Sequence, residues 1–416
     1  GARLINSFLG SNSTVSCCEI LNNLIFPFHE QHHNNSFLTA STLLGQSNIA
    51  AGATIGSNHN SRANDGEILA GRGFWPGLSS SFKHNSRFAS FTLIAKGSYS
   101  WELNITMPFC LVSMREDQST IQVMPGYWFL YNMFALERNS RKFRLRDKRV
   151  IKEQNIEFDY LAPDTAEEMA AAMEVLRREL RKAFGSGFNL DKLSWLDEID
   201  DEPLLLDGFV PKRKAYIVKP IKGYLTYKAM LMHYGAKELK KEVERALKEV
   251  KGVEVAAFVR DNFSQPYREW NNIGGQLIPE TVLQKIMKEI TEGKINSWRE
   301  LHKEYDRQWD EYPKQKKDHA IYMALLMHGK NIQELDNQFI RKLLSDSRNT
   351  ARVFSDLAWK SREKDFTNPF RQTTYRNKEE MTAVLGRVED IDFLKDFRKE
   401  VEEYSADIGR LVAAME

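Results

Sequence analysis

The stretch Leu43-Leu44-Gly45-Gln46-Ser47-Asn48-Ile49-Ala50-Ala51-Gly52-Ala53-Thr54-Ile55-Gly56-Ser57-Asn58 decides how this chain is read. Its aliphatics Leu43, Ile49 and Ile55 stand six apart, and each is followed by small or polar residues. A period of six is neither the 3.6 of a helix nor a sustained 2, and it predicts a parallel β-helix in which each short strand sends one aliphatic inward before a corner. Small residues such as Ala50, Ala53 and Gly56 suit corners where bulk would collide. The spacing recurs at Leu9 and Val15 and at Phe82, Phe88 and Ile94. A polar linker would share the Ser/Asn/Gly bias but would not hold its aliphatics in phase.

Working outward, a longer repeat overlies the hexads. Asn35-Ser36, Asn60-Ser61 and Asn85-Ser86 are 25 residues apart, and Asn6-Ser7 begins a similar copy. One coil of three hexads plus a seven-residue protrusion accounts for the 25, and so do four hexads plus one residue. Gly73-Phe74-Trp75-Pro76-Gly77-Leu78 and Ile25-Phe26-Pro27-Phe28-His29 break the hexad phase and are expected to protrude as loops.

Charge density divides the 416 residues. The first 125 carry 14 charged residues, about 11%, whereas the other 291 carry 102, about 35%. The expected organisation is a left-handed β-helix over 1–125, truncated at its N-terminus, a capping and connecting segment over 126–162, and an α-helical domain over 163–416. In that domain Thr165 with Glu168 reads as a capping box, with Met169, Met173, Leu176, Leu180 and Phe184 on one face. Further helices are expected at 224–250, 280–293, 297–311, 316–329, 332–346 and 377–414, and Pro203 to Pro220 reads as strand or loop. Trp195, Trp270, Trp298, Trp309 and Trp359 are expected as core anchors, and Lys314 to Lys317 as a solvated face.

Composition excludes several classes. No run approaches the roughly 18 apolar residues of a membrane span. The balance of 59 Lys+Arg against 57 Asp+Glu offers no basic field for nucleic acid. Cys17, Cys18 and Cys110 lack both a disulfide framework and zinc spacing, which points to a reducing, cytoplasmic home. The chain opens on Gly1-Ala2-Arg3 with no leader, as expected of a piece of a longer protein.

The residues that can do chemistry cluster in His59-Asn60-Ser61-Arg62 and its copy His84-Asn85-Ser86-Arg87, preceded by Asn58 and Lys83. A neutral imidazole takes a proton near pH 7, an Asn amide orients it, and Arg or Lys binds phosphate. His59 and His84 are therefore the candidate bases, with Asn58, Asn60, Arg62, Asp65, Trp75, Lys83, Asn85 and Arg87 as substrate-binding candidates. The alternative is structural: stacked Asn and Ser satisfy corner backbone groups by ladder hydrogen bonds, and a duplicated coil leaves such copies behind. Asp65, Glu67 and Arg72 are either helpers of an imidazole or turn residues, and Trp75 either stacks on a sugar or packs against a neighbouring subunit. His29-Glu30-Gln31-His32-His33 matches a zincin signature in letters only, since Pro27 and Asn34-Asn35 leave no room for the helix that signature needs. No metal is expected, and neither a P-loop nor a nucleophile elbow occurs.

At Leu44-Gly45-Gln46-Ser47-Asn48-Ile49 through Gly56-Ser57-Asn58-His59-Asn60 the chain resembles the left-handed β-helix, hexapeptide-repeat superfamily of acyltransferases and sugar-nucleotide pyrophosphorylase domains. Gly56-Ser57-Asn58-His59-Asn60-Ser61-Arg62, Phe74-Trp75-Pro76-Gly77-Leu78 and Pro125-Gly126-Tyr127-Trp128-Phe129-Leu130-Tyr131 are more closely similar to a bacterial family of the Bacteroides group. That family joins hexapeptide coils to a helical C-terminal region and brings no established activity. The superfamily resemblance implies a homotrimer with sites between β-helices, a histidine base, no bound cofactor, and acyl-CoA as co-substrate. The expected function is a transferase acting on a sugar or nucleotide-sugar. The alternative is a non-catalytic carbohydrate-binding or assembly scaffold. Partners are then a small sugar ligand and copies of the same chain, without nucleic acid or membrane.

Overall fold

The computed structural model of the chain describes residues 1–56, 66–116, 120–185, 188–249 and 254–415. Over the described part of residues 1–114 the backbone winds through six coils of short parallel strands, stacked along three faces of a β-solenoid, with two continuous six-stranded sheets and a third face split between Thr14–Val15/Glu30–Gln31 and the sheet that begins at Trp75–Pro76. The hexads explain the stacking. Leu43, Ile49 and Ile55 fall on three successive faces of the winding and have no exposed surface; Phe82, Phe88 and Ile94 do the same in the fifth coil, at 2%, 2% and 0%. Each contributes an apolar side chain that only the stacked neighbours can cover, which is what holds a solenoid together.

Register gives the coil length. Leu9 pairs with Ile25 and Ile25 with Leu43, intervals of 16 and 18 residues. Leu43 pairs with Ala70, 27 residues on, because the interval between Ile55 and Ile68 is longer in that coil, and residues 57–65 within it lie outside the described residues. The 25-residue repeat therefore counts corners, not coils: Ser36 opens a strand of one sheet and Ser86 a strand of another. Asn6, Asn35 and Asn85 adopt φ of 46°, 60° and 60°, the left-handed turn that Asn tolerates.

The two segments expected to protrude do not. Trp75-Pro76 is a strand paired with Leu93-Ile94, and Phe74 is wholly buried, its ring 4.8 Å from that of Phe88. Leu24-Ile25 is likewise a strand, with Phe28 buried against Phe143 and Phe158. Burial of these aromatics absorbs the broken phase.

The third sheet continues past the coils. Leu111–Met114 pairs antiparallel with Ile121–Met124, and the hairpin Leu204–Val210/Arg213–Ile217 extends it further. The strand reading of 203–220 is thus met by a hairpin.

Two compact units divide the chain. One comprises Gly1–Tyr127, Phe143–Lys228 and Tyr267–Gln315; the other comprises Trp128–Lys142, Ala229–Pro266 and Lys316–Glu416. In the first, the helix Pro163–Phe184 starts earlier than the expected capping box. Thr165 is its third residue and accepts from Ala162 N at 3.1 Å, so Glu168 is left free to reach Ser90 N at 3.0 Å. In the second, Asn337–Thr367 lies along Asp392–Ala414 around Leu239, Val243, Ile340, Leu344 and Ile408. Asp336 caps the first of these helices by accepting from Phe339 N at 2.6 Å.

Three helix expectations are corrected. Residues 297–311 and 316–329 form one helix, Trp298–Leu326, with Pro313 inside it. The 332–346 helix runs to Thr367, and 377–414 breaks at Gly386, φ 71°. Trp298 is not a core anchor, since 70% of it is exposed. Nor are Lys316 and Lys317 solvated; both are buried, and Lys317 Nζ reaches Asn262 O at 2.9 Å, Asp318 at 3.1 Å and Glu242 at 3.6 Å.

Candidate functional site

One corner row of the solenoid, between the first and second sheets, carries the described copy of the motif singled out by the sequence. In the fifth coil it is Lys83-His84-Asn85, between Phe82 and Ser86. Side chains of an extended segment alternate sides. Phe82, His84, Ser86 and Phe88 accordingly face inward, while Asn85 and Arg87 are exposed and Lys83 is half-buried. The motif is therefore split between two environments.

His84 is 3% exposed, and its Nε2 donates to Thr39 O at 3.2 Å, which assigns the proton to that nitrogen. The ring spans the fourth coil to do so: a Cβ on Gly56, itself at φ 82°, would stand 2.1 Å from Nε2. His84 thus ties three coils together. Ser86 is also part of the frame, donating to Lys83 O at 2.7 Å and accepting from Leu103 N at 2.9 Å. The same row shows Asn23 donating to Leu38 O at 3.0 Å and accepting from Ser41 N at 2.9 Å, while Asn23 N donates to Ser7 Oγ at 3.0 Å. These are ladder bonds that satisfy corner amides.

Of the outward residues, Asn85 borders a cleft of about 380 Å³ that it lines with Glu102, Asn104, Asp207, Lys212 and Arg213, among others, whereas Lys83 and Arg87 are not part of its wall. That volume is within the range of small-ligand sites. Lys83 Nζ donates to Glu102 at 2.6 Å, and this bond holds the Glu102 carboxyl below its usual range. Asn104, paired in register with Arg87, donates to Gly208 O at 3.1 Å and so ties the hairpin turn to the sixth coil. Amides, two carboxylates and two cations thus converge on one opening. Carboxylates and amides hold sugar hydroxyls, and Lys or Arg binds phosphate.

The other expected residues are placed as follows. Asn58, His59, Asn60, Arg62 and Asp65 lie outside the described residues. Trp75 is half-buried in its strand. Arg72 is 1% exposed and holds Asp164 bidentately at 2.7 and 2.8 Å; burial opposes its charge, and Asp164 more than restores it. It is a structural staple, with Glu157 beside it accepting from Tyr312 at 2.5 Å. His29 is fully buried, bonded to Ser47 at 2.9 Å and Gln31 at 3.1 Å, and burial pushes it down to about 4. His33 is exposed, so the zincin letters share no face. Among the described residues no group of His, Cys, Asp or Glu could hold a metal.

Sequence reasoning missed Glu102, Asn104 and the hairpin residues. The coil supplies a signal for the first two: 17 residues after Arg87 stands Asn104, and 17 after Asn85 stands Glu102.

Comparison with known proteins adds position without chemistry. Residues 251–414 match a family model described as a domain of unknown function (DUF6819). The chain is 41% identical over 408 residues to a Treponema pallidum (strain Nichols) protein described as uncharacterized. That match takes in 96% of this chain and 55% of the relative, so the chain spans about half the length of the curated relative it matches. No solved structure matches. No helix among the described residues is long and apolar enough to cross a membrane.

Proposed function

We propose that this chain is a hexapeptide-repeat, left-handed β-helix protein that binds a sugar or nucleotide-sugar in the corner cleft and serves as a carbohydrate-binding scaffold. The observation that carries the reading is the convergence of Asn85, Glu102, Asn104 and Asp207 with Lys212 and Arg213 around one opening of ligand size. Six-residue spacing and small corner residues support the left-handed winding. Trimeric assembly and a cytoplasmic home belong to the same proposal. Calorimetric titration with a panel of sugars, sugar phosphates and nucleotide-sugars tests it, with Asp207→Ala and Asn85→Ala expected to weaken the bound member at least tenfold. Saturation by no member of the panel would sink the reading.

A second reading is a transferase that uses acyl-CoA as co-substrate, with His84 as base and His59 as its counterpart. It is supported by the position of His84 between Lys83 and Asn85, at the corner that borders the cleft. Catalysis then requires His84 to leave Thr39 O and turn outward. Acyl transfer from acyl-CoA to the bound sugar is expected to fall at least a hundredfold in His84→Ala; equal turnover by wild type and variant would remove His84 from that role.

A further inference from the structure

Trp101 occupies the sixth-coil corner next to Glu102, and the guanidinium of Arg213 lies over its ring, 4.4 Å from the centroid. Arg213 and Glu102 line the cleft, whereas the indole is not part of its wall. An aromatic face is the surface on which a sugar ring stacks, and a guanidinium is the group that grips phosphate through paired N–H donors. Here the two occupy each other. Arg213 is exposed and follows Lys212, which takes φ 55° in the hairpin turn, so the cover sits at the tip of a hairpin and not in a core. Cation–π contacts at such exposed positions are weak enough to be exchanged for a charge-assisted phosphate bond.

Resting on the binding reading above, we propose that Trp101 is the stacking platform of the cleft and Arg213 its displaceable cover, so that the site selects phosphorylated sugars. The phosphate draws the guanidinium off the indole, and the sugar ring takes the face so uncovered. A sugar without phosphate must displace the cover with nothing offered in exchange. Arg213 therefore acts as a specificity residue with opposite effects on the two ligand kinds.

The test uses the whole chain with glucose 1-phosphate and methyl α-glucoside as probes, titrated by calorimetry into wild type, Arg213→Ala and Trp101→Ala. Arg213→Ala is expected to weaken glucose 1-phosphate at least tenfold and to strengthen methyl α-glucoside about two- to fivefold, the release of one exposed cation–π contact. Trp101→Ala is expected to weaken both. Without ligand, iodide quenching of tryptophan emission is expected to rise in Arg213→Ala and to return to the wild-type level in Arg213→Ala/Trp101→Phe. Shifts of the same sign for both probes in Arg213→Ala, or quenching that Arg213→Ala leaves unchanged, would overturn the cover. Binding of neither probe by any variant would overturn the cleft reading and the cover together, whereas binding that both variants leave unchanged would overturn the cover alone.

Discussion

The corner row of the solenoid and the Lys317 cluster of the helical unit face the same problem, polar groups that must be buried, and meet it by opposite means. Along the corner row the solenoid uses neutral partners: Ser7, Asn23, Ser41 and Ser86 each bond a backbone group of their own or a neighbouring coil, and His84 reaches one two coils away. The helical unit buries full charges, with Lys317 set among Glu242, Asp318 and the Asn262 carbonyl. A stack of coils offers a backbone N–H or C=O at every rung, so a short neutral side chain always finds a partner. Helices satisfy their own backbones and leave their side chains to pair with one another. Buried polar groups follow from what the neighbouring backbone has left over.

The contrast can be broken most sharply at Lys317. Lys317→Met takes one cation from Asp318 and from Glu242, which keeps Arg245 at 3.1 Å, and a loss of about 2–3 kcal/mol is expected in denaturant unfolding followed by far-UV circular dichroism. A loss below about 1 kcal/mol would mean that the acids are compensated by other groups.

Glu168 comes next, because it brings a carboxylate to the neutral side of the comparison. Burial pushes it up to about 7, with Asp164 adding to the rise and the bond from Ser90 opposing it. The folded state thus holds a proton that the unfolded chain, titrating near about 4.3, has released. Stability is therefore full below about pH 4.3 and declines as pH rises toward 7, by at most about 1.4 kcal/mol per pH unit. Melting temperatures between pH 4.5 and 7.5 are expected to slope downward in wild type beyond the slope of Glu168→Gln. Parallel curves would show that Glu168 titrates normally.

Ser86→Ala gives a smaller effect. It removes the acceptor of Leu103 N, and about 1–2 kcal/mol is expected to be lost with no pH dependence. The smallest belongs to Lys83→Ala, which breaks a half-exposed ion pair with Glu102 and is expected to cost under about 1 kcal/mol in the same unfolding measurement. Lys83→Ala costing more than Ser86→Ala would reverse the ranking of ladder over surface charge.

How much of this was legible depended on whether one residue decides one environment. In the coils it does: Leu43, Ile49 and Ile55 each own a face, so spacing alone predicts the solenoid. His84 and Arg87 read as companions because they share a tetrapeptide, yet alternation sends one inward and the other out, a separation the period of two already contained. Lys316 and Lys317 were not legible, since a run of lysines is written the same way whether its partners are water or Glu242. The cleft was only half readable. Glu102 and Asn104 follow the motif by one coil, whereas Asp207 and Arg213 arrive from a hairpin about a hundred residues downstream that no local pattern ties to that corner.

The longer fourth coil has a consequence of its own. Above and below it the rungs keep their alignment, Leu43 over Ile25 on one side and Phe88 over Ala70 on the other, although nine or more residues have been added between them. The register of the stack is therefore kept across an interval nine residues longer than the one before it. Descendants of one ancestral staircase are free to diverge at each landing while every step stays level, and variation among relatives should gather at the landings.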